Sequence, residues 1–289
     1  MESSNLKRAA IRLMGRACPS ALRFLAHHSP IDRSRWSMLS MLLSDAKFRE
    51  WLASLENPTK TRVGFKIFTI AGDLTSDWIK LYGQQEVGPE VFILDFLRTG
   101  STFLDIGANI GYFSLLAASK CNAKVVSFEP QSTIAELLRS SVSINNMQKY
   151  VRVEQIALSD APATMRMTSC PTNTGHSQLA AFNDENGQSN LVAVVPLDDW
   201  VKENPLEPVS VCKIDTEGAE LRVLRGMSQL LDRDSPAVVI EIVEEYLAEF
   251  GASGSDIMSF FDSHGYTDVS GKYASRGDNN RYFTKIRGA

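Results

Sequence analysis

Residues 101–130 read STFLDIGANIGYFSLLAASKCNAKVVSFEP, which is a strand, a glycine-rich turn, a helix and a second strand. Ser101–Leu104 is apolar and runs into Asp105. Gly107, Asn109 and Gly111 follow at alternate positions, a spacing that suits a turn tight enough for backbone N–H groups to approach a ligand. Tyr112–Ser119 carries Ala, Leu and Phe at helical spacing, and Lys124–Phe128 is the next strand. Glu129 stands at the carboxyl end of that strand. In an open α/β sheet, ligands bind outside the carboxyl ends of the strands. Asp105, the turn and Glu129 are therefore expected to meet at one site.

The chemistry of that site follows from its charges. A carboxylate at the tip of the second strand accepts hydrogen bonds from the cis hydroxyls of a ribose, each contributing about 1.5–3 kcal/mol. The turn has the pattern D-x-G-x-N-x-G rather than the dinucleotide pattern G-x-G-x-x-G. Asp105 in front of it would repel a pyrophosphate and suits a cationic ligand with an amino-acid ammonium, such as S-adenosylmethionine. The plainer alternative is a generic βαβ unit with a solvated carboxylate.

The rest of the composition sets bounds. The chain has 289 residues, 44% of them hydrophobic, which suits one large domain or one domain with an extension. A net charge of −4 argues against a nucleic-acid partner. Cys18, Cys121, Cys170 and Cys212 are scattered with no C-x-x-C, as in reduced thiols of a cytoplasmic protein rather than a disulfide framework or zinc site. No apolar run reaches membrane-spanning length, and the N-terminus lacks the apolar core of a signal peptide.

Two domains are expected. Residues 1–60 form a helical N-terminal extension, with helical periodicity over Asn5–Cys18 and Arg33–Leu55 and a break at Asn57-Pro58. Its first 35 residues hold Lys7, Arg8, Arg12, Arg16, Arg23, Arg33 and Arg35 against Glu2 and Asp32. A basic amphipathic helix can lie on an anionic membrane; it can equally serve as a helical cap or dimer arm. Residues 61–289 form the α/β domain. Val63–Ala71 alternates as a strand of a small hairpin. Trp78, Tyr82 and Glu86 share one helical face if Gly83 does not interrupt it, and then either line the ligand's mouth or simply pack.

Downstream, Tyr150–Gln155 is the third core strand, and Gln155 and Ala157 fall where the base of a nucleoside would lie. Residues 161–195 resemble an insertion of short strands around a polar loop that carries His176, a lid or substrate platform. Asp198 and Asp199 begin a short helix as caps. Val209–Ile214 is the fourth strand and ends in DTEGAE, so Asp215 and Glu217 fall on the same edge as Asp105 and Glu129. One amphipathic helix over Leu221–Leu231, a fifth strand over Ala237–Ile242 carrying Glu241, and a helix over Ser255–His264 follow. Tyr266–Val269 and Arg281–Ile286 are joined too closely for a crossover helix, so they pair antiparallel.

With DIGANIGYFSL (Asp105–Leu115), SFEP (Ser127–Pro130), ALSD (Ala157–Asp160), VPLDDW (Val195–Trp200) and KIDTEGAELRVLRG (Lys213–Gly226) in this order, the chain resembles the FkbM-type methyltransferases over about residues 65–286. The resemblance implies an α/β, Rossmann-like seven-stranded methyltransferase sheet, mostly parallel with an antiparallel last strand. It implies S-adenosylmethionine as cofactor and O-methylation of a hydroxyl on a sugar, glycan or polyketide-type natural product. Carried over by motif, Asp105, Gly107, Asn109 and Gly111 shape the cofactor pocket, Glu129 holds the ribose, and Asp215 and Glu217 lie near the point of transfer. NTGHSQL (Asn173–Leu179) resembles the family's substrate-side loop.

For the chemistry, a hydroxyl acceptor needs a base within about 2.6–3.2 Å, directly or through one water. Asp215, Glu217 and His176 are the candidates, the carboxylates favoured because a strand end holds them in place. A divalent cation on Asp215 and Glu217 is an alternative for which the sequence supplies no third ligand. Two other classes remain open: an NAD-dependent oxidoreductase, which leaves Asp105 and DTEGAE unexplained, and a non-catalytic interaction module that keeps the cofactor fold.

Overall fold

The computed structural model describes residues 11, 14–15, 17–28, 41–168, 178–180, 189–274 and 279–285. The chain enters through helices α1 (Pro19–His28) and α2 (Ala46–Ala53) and a two-residue hairpin, β1 (Thr59–Lys60) with β2 (Lys66–Ile67). Helices α3 (Leu74–Tyr82) and α4 (Val87–Phe96) lead into β3 (Thr102–Ile106), α5 (Tyr112–Cys121), β4 (Lys124–Phe128), α6 (Ser132–Ile144) and β5 (Val151–Glu154). A second, four-stranded sheet follows from β6 (Ala157–Leu158), β7 (Ala163–Thr168), β8 (Gln178–Ala180) and β9 (Ser189–Val195), in the order β6-β9-β7-β8. The chain then returns through α7 (Leu197–Glu203), β10 (Val209–Ile214), α8 (Glu220–Gly226), α9 (Ser228–Asp234) and β11 (Ala237–Glu241). It ends in α10 (Glu244–Glu249), α11 (Gly254–Ser263), β12 (Thr267–Asp268), α12 (Ser270–Tyr273) and β13 (Asn280–Thr284).

The main sheet has the order β12-β13-β11-β10-β3-β4-β5. Pairs among β5, β4, β3, β10 and β11 are parallel, whereas β13 runs against both β11 and β12. The last strand is thus the reversed one, as expected. Both faces are covered, which is why the strands read as almost unbroken apolar runs. Phe103, Val125, Val211 and Val239 pack against α4, α5 and α6, through residues such as Phe92, Leu116 and Leu138. Leu104, Val126, Cys212 and Val238 point the other way, toward Leu224, Leu230 and Phe261.

The N-terminal helices dock on the α/β domain. Leu22, Phe48 and Leu52 pack with Trp78, Leu81 and Tyr82 of α3. Asp45 caps α2 by accepting from the Lys47 and Phe48 amides. Of the basic N-terminal residues, Arg23 is described and donates to the Lys80 carbonyl at 2.9 Å. Lys7, Arg8, Arg12, Arg16, Arg33 and Arg35 lie outside the described residues, and with them the expected membrane or dimer contact.

Several local expectations change. The strand expected over Val63–Ala71 shrinks to Lys66–Ile67. The amides of Phe68, Thr69 and Ile70 donate instead to the side chains of Ser141, Asn57 and Ser76, which leaves no ladder to extend. The single helix expected over Leu221–Leu231 breaks at Met227. Asp198 does cap a helix, but a different one: it accepts from the Gln229 and Leu230 amides at the start of α9. A short helix, α12, occupies the loop before the last strand without altering its antiparallel pairing. Among the described residues, no helix is long and apolar enough to cross a membrane.

Gly226 closes α8 directly against the second sheet's first strand: a Cβ there would lie 1.9 Å from the Ser159 carbonyl oxygen. Gly226→Ala is expected to destabilise the fold by about 1–3 kcal/mol through backbone displacement. Urea denaturation measures this, and a loss below about 0.5 kcal/mol, within the range of neutral surface changes, would contradict the packing described.

Candidate active site

A cavity of about 320 Å³ opens where β3, β4 and β10 end. Its floor is the turn after β3. Gly107, Asn109 and Gly111 all have left-handed backbones, with φ of +77°, +50° and +90°. The turn's amides are already taken. Gly107 and Ala108 donate to the Phe128 carbonyl, Asn109 to Glu129 Oε2 at 3.0 Å, and Ile110 to the Asn109 side chain. The turn thus offers a ligand close approach rather than free donors. Gly107 is required for a second reason: a Cβ there would sit 1.7 Å from the Asp215 carbonyl oxygen. The ends of β3 and β10 touch through that missing side chain.

Glu129 follows β4, is buried and lines the cavity. The Asn109 and Gln131 amides hold one carboxylate oxygen each, at 3.0 and 2.9 Å. Burial pushes its pKa up to about 7, against the pull of those two amides. Phe128, Ile156, Ala157 and Leu158 form an apolar wall beside it.

The acidic end of the cavity comes from β10 and β11. Asp215, Glu217 and Glu241 each bring a carboxylate oxygen within 4.8 Å of the others. Glu241 is thus the third carboxylate that the sequence did not supply for a cation on Asp215 and Glu217, although acidic groups also gather without an ion. Glu220 accepts from the amides of Thr216 and Gly218 and so ties down the loop that carries Glu217. Glu217 itself has a φ of +55°, and its Oε2 is buried with no hydrogen-bond partner. A non-glycine residue held in that region costs of order 1–3 kcal/mol and persists where surrounding contacts enforce it. Burial, then the neighbouring Asp215 and Glu220 charges, push the Glu217 pKa up to about 9. Burial and the charges of Asp215 and Glu217 likewise raise that of Glu241. Lys213 is the one cation among the described residues that line the cavity, and it donates to Asp215 Oδ2 at 2.6 Å.

Six of the expected site residues therefore converge: Gly107, Asn109, Glu129, Ala157, Asp215 and Glu217. Three do not line the cavity. Asp105 is buried inside the sheet, where Ser114 Oγ donates to its Oδ2 at 2.5 Å, so it presents no carboxylate to a ligand. Gly111 serves packing, since a Cβ there would sit 1.9 Å from Leu138. Gln155 is exposed and its side-chain oxygen accepts from Arg139, because β5 ends one residue earlier and the chain turns outward. His176 lies outside the described residues. Glu86 does reach the cavity, but Gly83 ends α3 in a left-handed turn, and Trp78 and Tyr82 pack together in the N-terminal core. Lys213 and Glu241 were not singled out from the sequence as site residues. Each is near the end of an apolar strand, the one position where a charge in such a run marks the ligand edge.

A mostly parallel sheet with one reversed strand, its carboxyl ends carrying a buried carboxylate and an acidic turn, defines a Rossmann-like fold. A family profile described as the methyltransferase FkbM domain matches residues 105–267. The chain belongs to that family. It is 29% identical over 203 residues to 31-O-demethyl-FK506 methyltransferase FkbM of Streptomyces tacrolimicus, covering 60% of this chain and 75% of that one. It is 28% identical over 162 residues to methyltransferase sdnD of Sordaria araneosa, covering 46% and 62%. Among solved structures, methyltransferase FkbM of Methylobacillus flagellatus matches with a TM-score of 0.47 and 15% identity, over 93% of this chain and 59% of that one.

The raised carboxylates make stability depend on pH in a stated direction. Glu129 and Glu217 both start from 4.5 when unfolded. Their protonated forms favour the fold, so this contribution is complete below 4.5 and lost as pH rises, by about 7 for Glu129 and about 9 for Glu217. The thermal midpoint of the ligand-free protein is expected to fall with rising pH across that window. Glu217→Gln should flatten the upper part. A midpoint that climbs with pH there, or an unaltered slope in the variant, would contradict the burial of these groups.

Proposed function

We propose that the chain is an S-adenosylmethionine-dependent O-methyltransferase acting on a hydroxyl of a sugar, glycan or polyketide-type natural product. The observation that carries this reading is the buried Glu129 carboxylate at the tip of β4, in one cavity with the β3 glycine turn and the acidic end of β10. The residues present fit the cofactor. The Gly107 turn gives backbone-close approach, and Glu129 Oε2, held by the Asn109 amide alone, keeps acceptor capacity for a ribose hydroxyl, while Oε1 takes both the backbone and side-chain amides of Gln131. Phe128, Ile156, Ala157 and Leu158 suit the flat apolar faces of adenine. Asp215, rather than the buried Asp105, offers negative charge beside the turn. The name of the Streptomyces relative supports an oxygen acceptor.

When bound, the cofactor supplies a methyl group already activated on a sulfonium. The protein's work is therefore alignment and proton removal. The acceptor oxygen bonds to the methyl carbon as the carbon–sulfur bond breaks, and the acceptor's proton passes to a carboxylate. Asp215 and Glu217 stand where they can take it, on a loop pinned by Glu220. Met167 of β7 lines the cavity from the second sheet, packed with Ala157 of the apolar wall. This reading places the protein in the reducing cytoplasm, with Cys18, Cys121 and Cys212 as free thiols.

Calorimetry tests it. S-adenosylmethionine should bind and NADH should not. Glu129→Gln removes one charged acceptor and should weaken donor binding by about 1.5–3 kcal/mol. An unchanged dissociation constant, or a preference for NADH, would contradict the assignment. Intact-mass screening of sugar and natural-product alcohols with labelled donor would then identify the acceptor by a single methyl gain.

A further inference from the structure

Lys213 and Asp105 are register partners across β10 and β3, so both side chains leave the sheet on the same face. Both are almost wholly buried, at 3% and 1% exposure. Lys213 donates to Asp215 Oδ2 at 2.6 Å, and its ammonium lies 5.1 Å from the centre of the Phe113 ring. One oxygen of Asp105 accepts from Ser114; the other is buried with no hydrogen-bond partner at all. A buried, half-satisfied carboxylate is costly, and replacing such an ion pair by apolar groups often leaves stability unchanged or improved. Stability alone therefore gives no reason for this arrangement. Its geometry gives another. The three groups form a ladder from the interior outward, Asp105 to Lys213 to Asp215; the upper two line the cavity, and the Asp215 backbone meets Gly107.

We propose that Lys213, backed by Asp105, is a positioning residue that fixes the Asp215 carboxylate against the glycine turn, so that its free oxygen faces the positive charge of the methyl donor. Asp215 would otherwise be driven away, because Glu217, Glu220 and Glu241 all press on it with like charge, and Glu86 adds to the field around Lys213 and Glu241. Burial alone would lower the Lys213 pKa, but Asp215 and Asp105 outweigh it and raise it, so this lysine stays charged and serves as an anchor rather than a base. Asp105 keeps the electrostatic value that its motif position suggests, exerted one residue removed from the ligand. The inference rests on the donor assignment above, and wild-type donor binding is measured first to separate the two.

The test measures donor dissociation constants by calorimetry, and thermal midpoints without donor, in the full chain. Lys213→Met removes a charge of the donor's own sign, yet should weaken S-adenosylmethionine binding about tenfold or more, because Asp215 no longer holds its carboxylate, the close opposite charge, toward the donor. Asp215→Asn should lose a similar factor, and Lys213→Met combined with Asp215→Asn should lose no more than either alone, because the lysine acts through that carboxylate. Lys213→Met with Asp105→Asn removes both buried charges and should recover the thermal midpoint while donor binding stays weak. If wild type binds donor and the recovered double variant binds it equally well, Lys213 is structural only and the proposal is overturned. Additive losses for Lys213→Met and Asp215→Asn would overturn it too. If wild type binds no donor, the fault lies with the donor assignment itself.

Discussion

The carbonyl oxygen of Asp215 occupies the place where a side chain on residue 107 would begin. That contact is the constraint on which the site depends. It requires glycine after β3, it requires β10 to end level with β3, and it brings the acidic loop of β10 to the edge of the cofactor turn. The parallel register of the two strands, Ile214 opposite Ile106, delivers the same alignment from within the sheet. A one-residue slip would turn every inward side chain of β10 outward. The cavity is thus a consequence of strand register, with side chains added where the strands stop.

Charge is distributed along that cavity in a graded way. At the β4 end, one buried carboxylate is held by two backbone amides. At the other end, three carboxylates crowd together with a single ammonium below them. Burial and mutual repulsion keep part of this group protonated when nothing is bound. Positive charge placed there would relieve this repulsion.

Much of this was legible in the sequence because the strand tips announce themselves. Apolar runs that end in Asp or Glu, at Phe128-Glu129 and Ile214-Asp215, mark both the element boundary and the ligand edge. The reversed last strand followed from a loop too short for a crossover. What failed to show was direction. Asp105 lies in the same kind of position as Glu129, yet its place within β3 turns it into the sheet toward Ser114. Alternation along a strand buried on both faces leaves no polar signature to reveal this. Lys213 was hidden for the same reason, a lone charge inside an apolar strand whose partner, Asp105, is distant in sequence. Gln155 failed because β5 ended one residue early, and boundaries are set by tertiary contacts such as Glu129 N–H to the Glu154 carbonyl. The break of α8 from α9 depends on Asp198, about thirty residues upstream, capping the second helix, which no local pattern reveals.

The claim that the converging tips of β3, β4 and β10 hold a methyl donor is tested most directly by a crystal structure with S-adenosylhomocysteine. The account predicts the ribose hydroxyls within hydrogen-bonding distance of the Glu129 carboxylate and the amino-acid end between the Gly107 turn and Asp215. Density for the ligand elsewhere, or a Glu129 carboxylate that makes no contact with it, would contradict the account.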